Sequence, residues 1–214
     1  MEITSRDIKF IREMTPKFEY PLNEIEKYAR KNYIPIAKPE VAAFLNFIVK
    51  VKKPQNILEI GTAVGYSTII MAKAYSKTHI VTIERDINLA EMAKENFKKA
   101  GIEDKIEIIC GEAQEVLPNL SKKYDLIFVD AAKGHYREFY EESKRLLSKG
   151  GIFVWDNVLY KGYVVGEKNV KHKRRTIVYR MRDFIDVLYK DKTLFTVILP
   201  LGDGLAVSVK EEER

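Results

Sequence analysis

From Asn56 onward, short runs of β-branched and aromatic residues alternate with longer amphipathic runs, which restricts the chain to strands joined by helical crossovers. Strands are expected at Ile57 to Ile60, His79 to Glu84, Lys105 to Cys110, Asp125 to Asp130 and Gly151 to Trp155. Helices are expected near Ser67 to Ala74, Asn88 to Lys99 and Tyr136 to Leu147, with a short turn near Ala113 to Leu117. Gly101 stands where a helix-ending glycine belongs, and Lys149-Gly150-Gly151 reads as the turn into the fifth strand. After Asn157 come a loop, a basic helix from about Arg174 to Tyr189, and strands at Phe195 to Leu199 and Leu205 to Val209. The Leu201-Gly202-Asp203-Gly204 turn makes those last two an antiparallel hairpin. Ahead of the first strand, Leu22, Ile25 and Tyr28, then Val41, Phe44, Leu45, Ile48 and Val49 behind Pro39, have helical spacing. The expected fold is therefore α/β: one domain over 1–214, with a helical cap (1–52) over the mouth of a doubly wound, seven-stranded, mostly parallel sheet (56–214).

Two of the expected strands finish on acid, Tyr124-Asp125-Leu126-Ile127-Phe128-Val129-Asp130 and Gly151-Ile152-Phe153-Val154-Trp155-Asp156-Asn157. As neighbouring parallel strands they would place Asp130, Asp156 and the Asn157 amide in one crevice, where open α/β sheets bind ligands. Three hard oxygen donors there suit a Mg²⁺-type ion, while the plainer reading makes the acids ordinary caps after strands.

The chain of 214 residues is long enough for a real core, and its 46% apolar and 32% charged residues describe a water-soluble protein. No apolar run reaches the roughly 20 residues needed to span a bilayer, and Met1 to Phe18 is too charged for a signal peptide. The single cysteine, Cys110, excludes an internal disulfide and a cysteine-built zinc site, so a cytoplasmic address is expected. The three histidines, His79, His135 and His172, have no metal-like spacing. Charge is concentrated: Lys161 to Arg182 holds eight Lys or Arg against Glu167 alone, a balance of +7 in a chain of net +6. Two readings fit this segment, a solvated basic loop and helix or a contact surface for a polyanion.

Glu59-Ile60-Gly61-Thr62-Ala63-Val64-Gly65-Tyr66-Ser67 follows the first strand and opens a helix. Gly61 and Gly65 let the backbone turn tightly, and the helix start offers free N–H groups. Glu84 ends the next strand, 23 residues beyond Gly61, where an acid can take ribose hydroxyls. The second and third glycines of the dinucleotide pattern are missing; a tight turn with no ligand is the plainer reading, and the loop resembles the E/D-x-G-x-x-x-G turn of S-adenosylmethionine-dependent methyltransferases, which implies a cofactor with a ribose and no phosphate. Gly111-Glu112-Ala113-Gln114, after the third strand, is placed to bracket an adenine.

Glu59 to Ser67, Gly111 to Pro118, Phe128-Val129-Asp130, Asp156-Asn157-Val158 and Leu199 to Gly204 resemble the cation-dependent O-methyltransferases, the group of the catechol and caffeoyl-CoA enzymes. The resemblance implies a Rossmann-like class I methyltransferase fold, S-adenosyl-L-methionine as cofactor, Mg²⁺ or a similar cation, and a homodimer. It implies metal ligands at Asp130, Asp156 and Asn157, a catalytic lysine at Lys133, and cofactor contacts from Ile36, Glu59, Gly61, Ser67, Glu84, Gly111, Glu112, Ala113 and Asp130. Lys133 also reads as a surface lysine at a helix start. Many relatives carry an aspartate two residues after the first metal ligand, where Ala132 stands here, and the catechol enzymes' aromatic gatekeeper is absent, which implies a more open acceptor pocket.

Within the family, Asp130-Ala131-Ala132-Lys133-Gly134-His135-Tyr136, Asn157 to Gly162 and the Arg174-Arg175-Thr176-Ile177-Val178 stretch look most like the bacterial tRNA 5-hydroxyuridine methyltransferases. That likeness implies a tRNA partner, with methyl transfer to a wobble hydroxyuridine giving 5-methoxyuridine and Lys171, Lys173, Arg174 and Arg175 on flanking phosphates. The alternative is a small-molecule, catechol-type acceptor with the basic segment merely solvated. Tyr160 and Tyr163 are candidate stacking faces for a base, whereas Trp155 reads as core.

Overall fold

The computed structural model describes residues 4–166 and 172–211. Three helices come first: α1 (Ser5–Met14), α2 (Leu22–Lys31) and α3 (Pro39–Lys52). Then β1 (Asn56–Ile60), α4 (Tyr66–Ala74), β2 (His79–Glu84), α5 (Ile87–Ala100), β3 (Ile106–Cys110), α6 (Ala113–Val116), β4 (Tyr124–Val129), α7 (Tyr136–Lys144) and β5 (Leu147–Trp155) alternate. The chain finishes with α8 (His172–Lys190), β6 (Leu194–Leu199) and β7 (Leu205–Lys210). The seven strands form one sheet in the order β3-β2-β1-β4-β5-β7-β6. β1 to β5 are parallel, and β7 runs antiparallel to both β5 and β6. The strand order reverses direction between β1 and β4, and ligands of open α/β sheets sit at that reversal.

Alternation along the central strands divides the core in two. Ile57, Leu126, Phe128 and Val154 face α3, α4 and α5, packing with Val41, Leu45, Ile69 and Phe97. Leu58, Ile60, Ile127, Val129, Phe153 and Trp155 face the other way, onto Leu117, Tyr136, Tyr140, Met181 and Phe184. Both faces are covered, so β4 is apolar without a break from Leu126 to Val129 rather than at every second position. Each fully buried Leu, Ile or Phe contributes about 1.5–3 kcal/mol.

Capping fixes where the crossovers start and stop. The Asp86 carboxylate accepts from the Asn88 and Leu89 amides at the start of α5, and Gly101, at φ +64°, closes that helix in the left-handed region. The cap is tied down by a half-buried ion pair: exposed Arg12 of α1 donates from Nε (2.9 Å) and Nη2 (2.8 Å) to the buried Glu40 carboxylate of α3. Among the described residues no helix is long and apolar enough to cross a membrane.

One segment departs from the sequence expectation. The helix expected to reach Leu147 stops at Lys144, and β5 begins at Leu147 rather than Gly151. Leu147 already pairs with Tyr124, and the register then shifts before Leu126 meets Ile152. Lys149-Gly150-Gly151 is thus an irregularity inside the strand, with Gly150 at φ +65°.

Candidate active site

The carboxyl ends of β1, β2, β3 and β4 open into a crevice of about 330 Å³. Ile36, Gly61, Ser67, Glu84, Gly111, Glu112, Ala113, Asp130 and Lys133 all line it, as does Gln114. The cap contributes Pro35, Ile36 and Ala37, in line with the expected placement of the N-terminal region over the mouth.

Gly61 is the tightest point. It adopts φ +102°, and a Cβ there would lie 2.2 Å from the Asp130 carbonyl oxygen. The Asp130 amide in turn donates to the Ile60 carbonyl at 2.9 Å, so the turns after β1 and β4 are locked backbone to backbone. Only glycine permits that approach.

Glu59, expected among the cofactor contacts, is not among the residues lining the crevice and is fully buried beside it. Its carboxylate accepts from the Ser67 hydroxyl at 2.6 Å, from the Thr82 hydroxyl at 2.6 Å and from the Thr68 hydroxyl. Burial pushes its pKa up, the three hydroxyls pull it back, and the net position is about 7. Glu59 therefore ties α4, with Ser67, to β1 and β2. The signal available in the sequence was the set of hydroxyl residues, Ser67, Thr68 and Thr82, that an inward-facing acid requires.

Glu84 has the opposite disposition. Its carboxylate accepts from the Ala63 amide at 2.8 Å and the Asp86 amide at 3.0 Å, which fixes it at the crevice wall. Gln114 supplies an unmet demand: its Oε1 is buried without a partner. A bound amino group would satisfy it.

The two strand-end acids meet as expected. Asp130 and Asp156 follow the adjacent ends of β4 and β5, and the Asn157 amide nitrogen donates to Asp130 Oδ1 at 3.2 Å. Asp156 is 3% exposed and accepts from its neighbour's backbone, Asn157 N to Oδ1, at 2.6 Å. Burial raises the pKa of both carboxyls; Asp130 pushes Asp156 up further, while the Lys133 ammonium pulls both down. Asn157 holds φ +62°, a left-handed conformation that aims its side chain back at Asp130. Among the described residues no three His, Cys, Asp or Glu side chains converge, so the donor set is two carboxylates and one amide. Two mutually repelling buried carboxylates fit a hard divalent cation, because the cation's charge relieves the repulsion.

Sequence reasoning gave no role to Tyr66, His135 or Phe139, which also line the crevice, or to Tyr136, whose buried hydroxyl donates to the Asp156 carbonyl at 2.8 Å. Trp155 is fully buried, as expected.

Much of the basic segment is engaged within the protein. Arg174 donates to the Tyr163 hydroxyl at 2.6 Å and lies 5.2 Å from that ring's centroid, while Tyr163 packs against Tyr160. Arg180 holds the Gly134 carbonyl, and Arg182 holds those of Val164 and Gly166. Arg175 is exposed; Lys171 and the Lys173 side chain lie outside the described residues.

The O-methyltransferase family profile matches residues 13–211. A catechol O-methyltransferase from Niastella koreensis is 36% identical over 181 residues, which cover 80% of this chain and 80% of that protein. An O-methyltransferase from Bacillus cereus, solved in complex with SAH, has a TM-score of 0.84 at 25% identity over 95% of this chain and 96% of its own. The O-methyltransferase TomG from Streptomyces achromogenes, solved in complex with SAM, has a TM-score of 0.83 at 26% identity over 97% and 96%. A crevice at the strand reversal, paired acids beside it and a family match over nearly the whole chain lead to one assignment: the chain belongs to the O-methyltransferase family.

Proposed function

We propose that this protein moves the methyl group of S-adenosylmethionine to a hydroxyl of a small dihydroxylated aromatic acceptor, with Mg²⁺ or a similar cation at the ends of β4 and β5. The observation that carries the reading is the Asp130–Asp156–Asn157 cluster set against a crevice lined by Gly61, Ser67, Glu84 and Gln114. The similar proteins support it, since the solved relatives hold SAM or SAH and the most identical curated one named above is a catechol enzyme.

Asp130, Asp156 and the amide oxygen of Asn157, once its side chain turns over, would hold the cation. When bound, the cation supplies a Lewis acid that makes the acceptor hydroxyl more acidic and fixes its approach. Glu84, already oriented by two backbone amides, would take the ribose hydroxyls, and Gln114 Oε1 the amino edge of the base. Lys133 reaches the crevice from the short helical turn Lys133–His135 after β4, where its Nζ, in the neutral amine form, would take up the acceptor's proton. Gly61 holds the two strand-end turns together, so orientation is built in before the acceptor arrives.

A second reading, methylation of 5-hydroxyuridine in tRNA, draws on the +7 balance between Lys161 and Arg182. Against it stands the use of Arg174, Arg180 and Arg182 in holding the protein's own loops. Parallel transfer from labelled S-adenosylmethionine to a free catechol and to hydroxyuridine-containing tRNA separates the two. The expected result is transfer to the catechol; label appearing in the tRNA alone would replace this reading with the second.

A further inference from the structure

We infer that Tyr136 is a positioning residue whose buried hydroxyl sets the separation of the two cation-binding turns. The inference rests on the proposed cation site and goes beyond it to a side chain that touches neither cation nor substrate. Tyr136 is the first residue of α7 and 1% exposed. Its ring is wedged against Trp155 and Phe184, each with its centroid 5.5 Å away. That packing leaves the ring one orientation, and in it the hydroxyl donates to the Asp156 carbonyl at 2.8 Å.

One phenol thus joins the turn that follows β4 to the turn that follows β5. Asp130 to Tyr136 is a single short loop that starts on one proposed ligand, carries Lys133 in its middle and ends on a latch to the other. The rest of the loop is held by the His135 amide on the Ala132 carbonyl, 2.9 Å, and by Arg180 on the Gly134 carbonyl, 3.0 Å. Neither of those bonds reaches the β5 side. The Asp156 peptide also leads directly into Asn157, whose left-handed backbone needs support to persist. Removing the hydroxyl while keeping the ring leaves the core intact and takes the only hold off the Asp156 carbonyl that the described hydrogen bonds give it, while the Asp156 amide stays on the Val129 carbonyl at 3.0 Å.

The test is Tyr136→Phe in the full chain, with Mn²⁺ as probe followed by electron paramagnetic resonance and SAH binding followed by calorimetry. The expected result is a Mn²⁺ Kd raised about 10–100-fold, the usual cost of losing a supporting hydrogen bond behind a metal ligand, with SAH affinity within about twofold of the wild type. Saturating Mg²⁺ should restore most of kcat, and p-aminophenylalanine at 136, which keeps a donor in place, should restore Mn²⁺ affinity. Unchanged Mn²⁺ affinity in Tyr136→Phe, equal losses of Mn²⁺ and SAH binding, or no recovery with p-aminophenylalanine would each overturn the inference. A wild-type protein that binds no Mn²⁺ would overturn the cation site itself, and the inference with it.

Discussion

Asn157 donates to Asp130 across 3.2 Å, joining the ends of β4 and β5 through side chains as their backbones are joined along the strands. The contact depends on the left-handed backbone of Asn157, at φ +62°. Replacing Asn157 with Ala removes the amide and leaves a residue that resists that conformation. The Mg²⁺ concentration giving half-maximal methyl transfer should rise by about 10–100-fold. Asn157→Gly, which accepts the backbone but lacks the amide, should need similarly high Mg²⁺; a Gly variant with wild-type Mg²⁺ dependence would show that the backbone alone matters.

Gly61→Ala should be more damaging than its size suggests. The added methyl would sit 2.2 Å from the Asp130 carbonyl oxygen, a backbone atom that can move only by separating β1 from β4. A loss of at least about 2 kcal/mol in denaturant unfolding is expected, combining a left-handed penalty with displaced packing, together with loss of methyl transfer. Wild-type stability in this variant would mean that the two turns are not in contact.

Glu59 gives the protein a pH dependence opposite in sign to that of most acids. Its folded pKa lies near 7, above the ordinary 4.5, so the folded state holds a proton that the unfolded chain has released. Stability from this group is complete below about pH 4.5 and declines as pH rises to about 7. Glu59→Gln cannot titrate, so the difference in unfolding free energy between wild type and variant should shift against the wild type across that window and level off above it. A constant difference from pH 5 to 8 would show that Glu59 keeps an ordinary pKa.

Asp191 behaves the other way. Burial disfavours its charge, but the Lys144 ammonium, the Tyr140 hydroxyl and Thr193 outweigh burial and hold its carboxyl well below the usual range. Its contribution is present above the unfolded pKa, 3.8, and is lost as pH falls below it. Asp191→Asn leaves the Lys144 charge unpaired and should cost about 2–4 kcal/mol at neutral pH, measured by urea unfolding. The deficit should shrink toward pH 3, and an equal deficit at both pH values would contradict the assignment.

The order of elements was legible because period-two and helical apolar patterns are local, and the paired acids were legible because parallel strands put their carboxyl ends together. Glu59 was not, since whether an acid beside a glycine turn faces ligand or core depends on hydroxyls from α4 and β2. The start of β5 was missed because Gly150 reads as a turn when its bulged pairing with β4 is unseen. Charge alone could not reveal that Arg174, Arg180 and Arg182 hold carbonyls and a phenol of distant loops. Tyr136 carried no signal either, because its function lies in an oxygen on another strand's end.

In the proposed reaction Asp130 and Asp156 hold a cation that activates an acceptor hydroxyl. Methyl transfer from labelled S-adenosylmethionine to a free catechol, measured with chelator and again after adding excess Mg²⁺, tests it most directly. Transfer should be abolished by chelator and recovered with Mg²⁺ in the wild type, with no recovery in an Asp130→Ala, Asp156→Ala variant. Transfer that persists at the full rate in chelator would contradict it.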